Sequence, residues 1–86
     1  MEKNYIVCTL DHYVLNHNIY MTDGEQLAKI GSAPFFDVAK VIKAGCDKYS
    51  IPNVHLFGNI IYIKPIIDEL KLQTDFNNNP INVEVN

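Results

Sequence analysis

Apolar and polar positions change rhythm several times along this chain, and each change marks a predicted element. "NYIVCTL" (4–10) is rich in β-branched and aromatic residues and reads as a strand. "DHYVLNHN" follows, polar and turn-prone, and leads to a second strand running through "IYM" (19–21). Near the other end, "INVEV" (81–85) alternates, with Ile81, Val83 and Val85 on one face. It is a predicted strand whose expected partner is the N-terminal one. The preceding "FNNNP" is a loop, because Asn and Pro favour turns.

The middle of the chain shifts to a helical period. In "TDGEQLAKIG", Thr22 and Glu25 have the spacing of a capping box, in which each side chain bonds the other's free backbone amide. Leu27, Ala28 and Ile30 then give a short apolar face, and Gly31 is a good terminator. A second helix is expected in "SAPFFDVAKVIKAGCDKY", with Ser32 as its cap and Pro34 in its first turn. Phe35, Val38, Ala39, Ile42 and Cys46 form its inward stripe, and Phe36, Asp37, Lys40, Lys43 and Asp47 face outward. Two short helices this close together are the skeleton of a helix-turn-helix.

"VHLFGNIIYIKPIIDEL" (54–70) admits two readings, a strand followed by a long helix or a hairpin followed by a short one. Gly58-Asn59 between two runs of β-formers is a two-residue turn signal. That register places Val54, Leu56, Ile61 and Ile63 on one apolar face. A helix starting at Asn59 would instead carry Pro65 in its interior, at a cost of about 3 kcal/mol. It would also force Lys64, the residue before proline, into a disfavoured conformation. The hairpin reading is preferred, with residues 54–57 paired to 60–63 and a third helix from Pro65. Ile66, Ile67 and Leu70 then point inward, and the core joins them to Leu27, Ile30, Phe35, Val38, Ile42 and the four hairpin residues.

Residues 21–71 thus read helix, turn, helix, loop, hairpin, helix. With "MTDGEQLAKIG", "VAKVIKAG" and "IPNVHLFGNIIYIKPIIDEL", that order resembles the excisionase and MerR-type winged helix-turn-helix domains. The resemblance implies an α+β fold in one domain, 1–86. Its winged helix-turn-helix-like core (21–72) has three short helices and a β-hairpin, flanked by N- and C-terminal strands. It further implies a helix from Pro34 to Gly45 in the major groove of double-stranded DNA and a wing at Gly58-Asn59. Lys40 and Lys43 would face the groove, and Lys48 and Lys64 would meet phosphates. Where the family usually places Ser, Arg, Thr, Tyr and Arg on the recognition helix, this chain has Pro34, Phe35, Phe36, Asp37 and Lys40.

Composition narrows the functional classes. Among the 86 residues 48% are hydrophobic and 20% charged, as in an ordinary globular domain. No apolar run reaches the roughly 18 residues that span a bilayer. "MEKNYIVCTL" lacks the features of a signal peptide, so a cytoplasmic location is the default expectation. Cys8 and Cys46 are then expected as buried free thiols. His12, His17 and His55 make no zinc-ligand pattern. Residues 1–23 carry a net −2 and residues 65–86 a net −3, around a middle segment of +2, and there is no arginine.

Two functions compete on these grounds. One is a small DNA-binding regulator or excisionase-like factor, favoured by the resemblance and by the basic middle segment. The alternative is an acidic protein-binding module, such as a phage-encoded inhibitor of a nucleic-acid-binding protein. Its candidate patch is Phe36, Phe57, Ile60 and Tyr62, since clustered exposed aromatics suggest a partner. The terminal strands or the mate in a homodimer could equally cover that face. No phosphate-binding loop, nucleophile elbow or metalloprotease motif is present, so no enzyme and no cofactor is expected. Asp11 with His12, or His17 with Asp23, would meet for acid–base chemistry only through the fold.

Overall fold

Strand alternation begins at Tyr5, and it organises most of the molecule. The structure, a computed structural model, describes residues 4–12 and 14–86. Among these, β1 (Tyr5–Leu10), β2 (His17–Thr22) and β3 (Leu27–Ala33) form an antiparallel meander. A 3-10 turn at Phe35–Asp37 leads into α1 (Val38–Tyr49), which returns the chain to β4 (Asn53–Gly58) beside β1. Helix α2 (Ile60–Leu70) then connects β4 to β5 (Asn82–Val85). The sheet order is β3-β2-β1-β4-β5, with β1, β4 and β5 parallel. The class is α+β, but the winged helix-turn-helix core is replaced by a five-stranded mixed sheet with two helices. The C-terminal strand pairs with β4 rather than with the expected β1.

The first predicted helix is a turn and a strand. Thr22 Oγ1 accepts from the Gly24 amide at 3.0 Å, and Asp23 Oδ1 accepts from the Glu25 and Gln26 amides at 2.9 and 3.0 Å. These side chains close a tight β2–β3 turn in which Gly24 takes φ +99°. A capping box and a side-chain-bonded turn use the same residue types at nearly the same spacing. Pairing to β2 then overrides the mild helical preference of "LAKIGSA". The strand carries an irregularity. Ile19 pairs with Gly31 and Tyr20 with Lys29, leaving Ile30 as the extra residue of a bulge. Ser32 lies in β3 and caps nothing, and the α-helix expected from Pro34 starts at Val38 after the 3-10 turn.

The predicted hairpin is a strand running straight into a helix. Gly58 has φ +120°, and a Cβ there would lie 2.6–2.8 Å from the backbone of Leu10 and Asp11. Glycine is required because the chain leaves β4 against the end of β1. Asn59 is the N-cap of α2, its side chain accepting from the Ile61 amide at 2.9 Å. Pro65 does lie inside the helix. The carbonyl it leaves without a donor belongs to Ile61, four residues earlier, and both residues are exposed. Water can therefore satisfy that carbonyl, which lowers the penalty. Burial of Ile63, Ile66 and Leu70 contributes roughly 1.5–3 kcal/mol each, enough to offset the rest.

Both helices pack on one side of the sheet and seal a single core. Ile6, Cys8, Leu10, Ile19, Val54 and Leu56 of the strands meet Val38, Ala39, Ile42 and Cys46 of α1 and Ile63, Ile66 and Leu70 of α2. α1 approaches closely where Gly45 presents no side chain: a Cβ there would sit 2.7 Å from Ile30 Cδ1. Of the predicted core, Ile30, Phe35 and Ile67 are only half-buried. Leu27 and Ile61 lie outside it, 64% and 72% exposed. Leu27 moved out because its element is a strand. Ile61 moved out because a helix puts positions 61 and 63 on different faces.

Candidate functional site

The strands that bury one residue in two present the alternate residues on the face the helices do not cover. Strand pairing aligns Lys29, Tyr20, Val7, His55 and Glu84 in one row across all five strands. Leu27, Thr22 and Tyr5 form a second row, and Thr9 and Phe57 begin a third. A shallow hollow of about 360 Å³ lies on this face, lined by Val7, Thr9, Tyr20, Thr22, Leu27 and Phe57 among others.

Rings run along the middle of the face. His55 stacks on Phe57 at 4.2 Å between centroids and 20° between planes. Tyr5 leans against His55 from the other side at 6.0 Å. The Tyr5 hydroxyl donates to Glu84 Oε2 at 3.1 Å. That hydrogen bond to a carboxylate holds the proton on and raises the phenol above its ordinary 10.0. His55 Nε2 is buried and has no hydrogen-bond partner among the described residues. Lys29 has no carboxylate within ion-pair distance among them either.

The lysines expected to contact DNA lie on the helices. Lys40, Lys43 and Lys48 are on α1, and Lys64 is on α2. Lys43 pairs with Asp47 and Lys64 with Asp68 one turn later, the second pair at 3.8 Å. Lys48 lies over the Tyr49 ring at 5.4 Å. Such local pairing mutes the cationic surface that a phosphate contact requires. No wing exists at Gly58-Asn59 to place Lys64 beside a DNA backbone.

The alternative patch of Phe36, Phe57, Ile60 and Tyr62 is divided by the fold. Phe57 projects from the open sheet face. Phe36 and Tyr62 each meet Phe35 edge-on, at 5.8 and 6.3 Å, and Tyr62 packs against the core on the helix side. Ile60 is the exposed first residue of α2. Of the residues on the open face, sequence reasoning named Phe57 and not Tyr5, Val7, Tyr20, Lys29, Leu27 or Glu84. Their one signal was alternation with buried neighbours.

Little elsewhere suggests chemistry. Asp11 Oδ1 and His12 Nδ1 approach to 2.7 Å, both largely exposed. His17 is buried, edge-on to Phe35 at 6.1 Å, with its Nε2 unpartnered among the described residues. Asp23 lies past the opposite end of β2, so the two cannot act together. Cys8 and Cys46 are buried free thiols, each raised to about 11 by burial and so poorly nucleophilic at neutral pH. Among the described residues no three His, Cys, Asp or Glu side chains are grouped to hold a metal. No helix of those residues is long and apolar enough to cross a membrane. No family model, curated protein or solved structure matches the chain.

Proposed function

We propose that this chain is a non-catalytic binding module that recognises protein through its open sheet face. The observation that carries the reading is the bare outer side of β1, β4 and β5. Parallel strands are ordinarily covered on both faces, and here only one face has helices. The outer side is not dressed for water alone, since Val7, Tyr20, Phe57 and the exposed Leu27 share it. Aromatic and aliphatic groups of this kind anchor protein interfaces. Nucleic acid is disfavoured because Lys29 is the one cation among the rows and Glu84 answers it at the other edge. Without arginine the chain also lacks the commonest phosphate and base reader.

The test is a photo-crosslinking residue placed in the full chain at Phe57, with a control at Lys64 on the helix layer. Irradiation in cells should give protein adducts at Phe57 and few at Lys64. Adducts to nucleic acid at Phe57, or no adducts there, would overturn the proposal.

A further inference from the structure

We infer that the occupant of the open face is a second copy of this chain, packed sheet on sheet about a two-fold axis that lies between the two sheets, over Val7 and close to the direction of β1. The inference rests on reading that face as a protein-binding surface. It follows from the order of residues in the central row: Lys29 at one edge, then Tyr20, Val7 and His55, then Glu84 at the other edge. The row has opposite charges at its ends and apolar or aromatic groups between.

A two-fold along the strands reverses the strand order while keeping the strand direction. Lys29 of one copy then faces Glu84 of the other, and the pair occurs twice. Tyr20 meets His55, and Val7 meets itself on the axis. The aligned packing angle of about −30° displaces the outer strands by roughly 5 Å, within reach of a lysine side chain. A two-fold across the strands would instead set Lys29 on Lys29 and Glu84 on Glu84. Charge therefore selects one of the two symmetric ways to close the face, and such isologous pairing is the commonest form of self-association.

The area is sufficient for a dimer but not for a tight one. Five strands at about 4.8 Å spacing, with about six residues each at 3.3 Å, cover roughly 500 Å² per copy. About 1,000 Å² in total stands at the lower bound for a specific interface. The dimer should thus form and dissociate over an accessible concentration range. The half-buried ring cluster of Tyr5, His55 and Phe57 supplies a preordered patch beside the axis.

Sedimentation over about a hundredfold range of concentration tests this with the full chain. The wild type should pass from monomer to dimer. Lys29→Glu and Glu84→Lys each turn two attractions into repulsions and should weaken association about tenfold. An equal mixture of the two variants makes every edge pair attractive again and should associate as heterodimer with wild-type strength. The double variant carrying both changes should recover self-association. Both sites are exposed strand positions, and circular dichroism would confirm that each variant folds. A wild type that stays monomeric, single variants that associate normally, or a mixture that does not recover would overturn the second copy as occupant. A monomer that still gives adducts with other proteins from Phe57 would refute the dimer and leave the binding module standing. A monomer with no adducts would refute both.

Discussion

The two faces of the sheet are built from the same strands, one residue out of step, yet they have different fates. Ile6, Cys8, Ile19, Val54 and Leu56 vanish beneath α1 and α2. Their neighbours Val7, Thr9, Tyr20, His55 and Phe57 share an uncovered surface. A sheet face meant only for water would alternate to charged and small polar groups. This one sets rings, Val7 and Leu27 among threonines and two opposed edge charges. The inner face therefore carries stability, and the outer face is left free for the recognition proposed above.

The strongest way to break that comparison is to remove a side chain from the inner face. Leu56 is fully buried between sheet and helices, and Leu56→Ala should cost about 2–5 kcal/mol. In a domain this small that is a large share of total stability. Urea denaturation would read it as a lower midpoint at an unchanged slope. A loss below about 1 kcal/mol would mean that the helix layer does not seal that face.

A milder probe uses the thiols, both on the covered side. Burial raises Cys8 and Cys46 from 9.0 to about 11. The folded state therefore keeps these protons longer than the unfolded state does. Their contribution is fully present below about pH 9 and is lost as pH rises through about 11. Urea midpoints should fall across that window more steeply for the wild type than for a variant with both cysteines changed to alanine. Tyr5 is raised in the same direction, but it lies half-buried on the outer face, so a Tyr5→Phe control separates its titration. Equal slopes for the wild type and the alanine variant would contradict the sealed placement of the thiols.

The two faces also differ in how far the sequence revealed them. The inward stripe of α1 and the first and last strands were legible, because periodicity reports burial against one neighbouring layer. β3 was not, because Thr22, Asp23 and Glu25 suit a helix start and a bonded turn alike, and only pairing to β2 decides. The β4–α2 junction was misread because the cost of Pro65 was counted without knowing that Ile61 and Pro65 would lie on the exposed side of the helix. The outer row was invisible for a different reason. Its five residues are scattered from Val7 to Glu84, and only the strand order and register align them. Phe57 could be suspected as an aromatic surrounded by apolar neighbours. Its actual companions could not be named.

The smallest expected effect on folding is also the sharpest test of the division between faces. Phe57 lies half-buried on the open side, stacked on His55, and contributes nothing to the layer beneath the helices. In dilute solution, Phe57→Ser should therefore lower stability by less than about 1 kcal/mol, in the range of ordinary surface changes plus one lost ring contact. A binding face behaves differently when its occupant is present. Any species that binds the folded chain raises apparent stability by mass action, so the wild-type melting temperature should climb with protein concentration if the occupant is a second copy. Phe57→Ser should flatten that dependence while leaving the dilute value nearly unchanged. Leu56→Ala, one residue away on the same strand, should do the reverse, lowering the dilute value and preserving the climb in whatever fraction stays folded. Melting curves for the two variants at low and high concentration would separate the faces in one experiment. A Phe57→Ser protein as unstable as Leu56→Ala would show that the open face supports the fold rather than a partner.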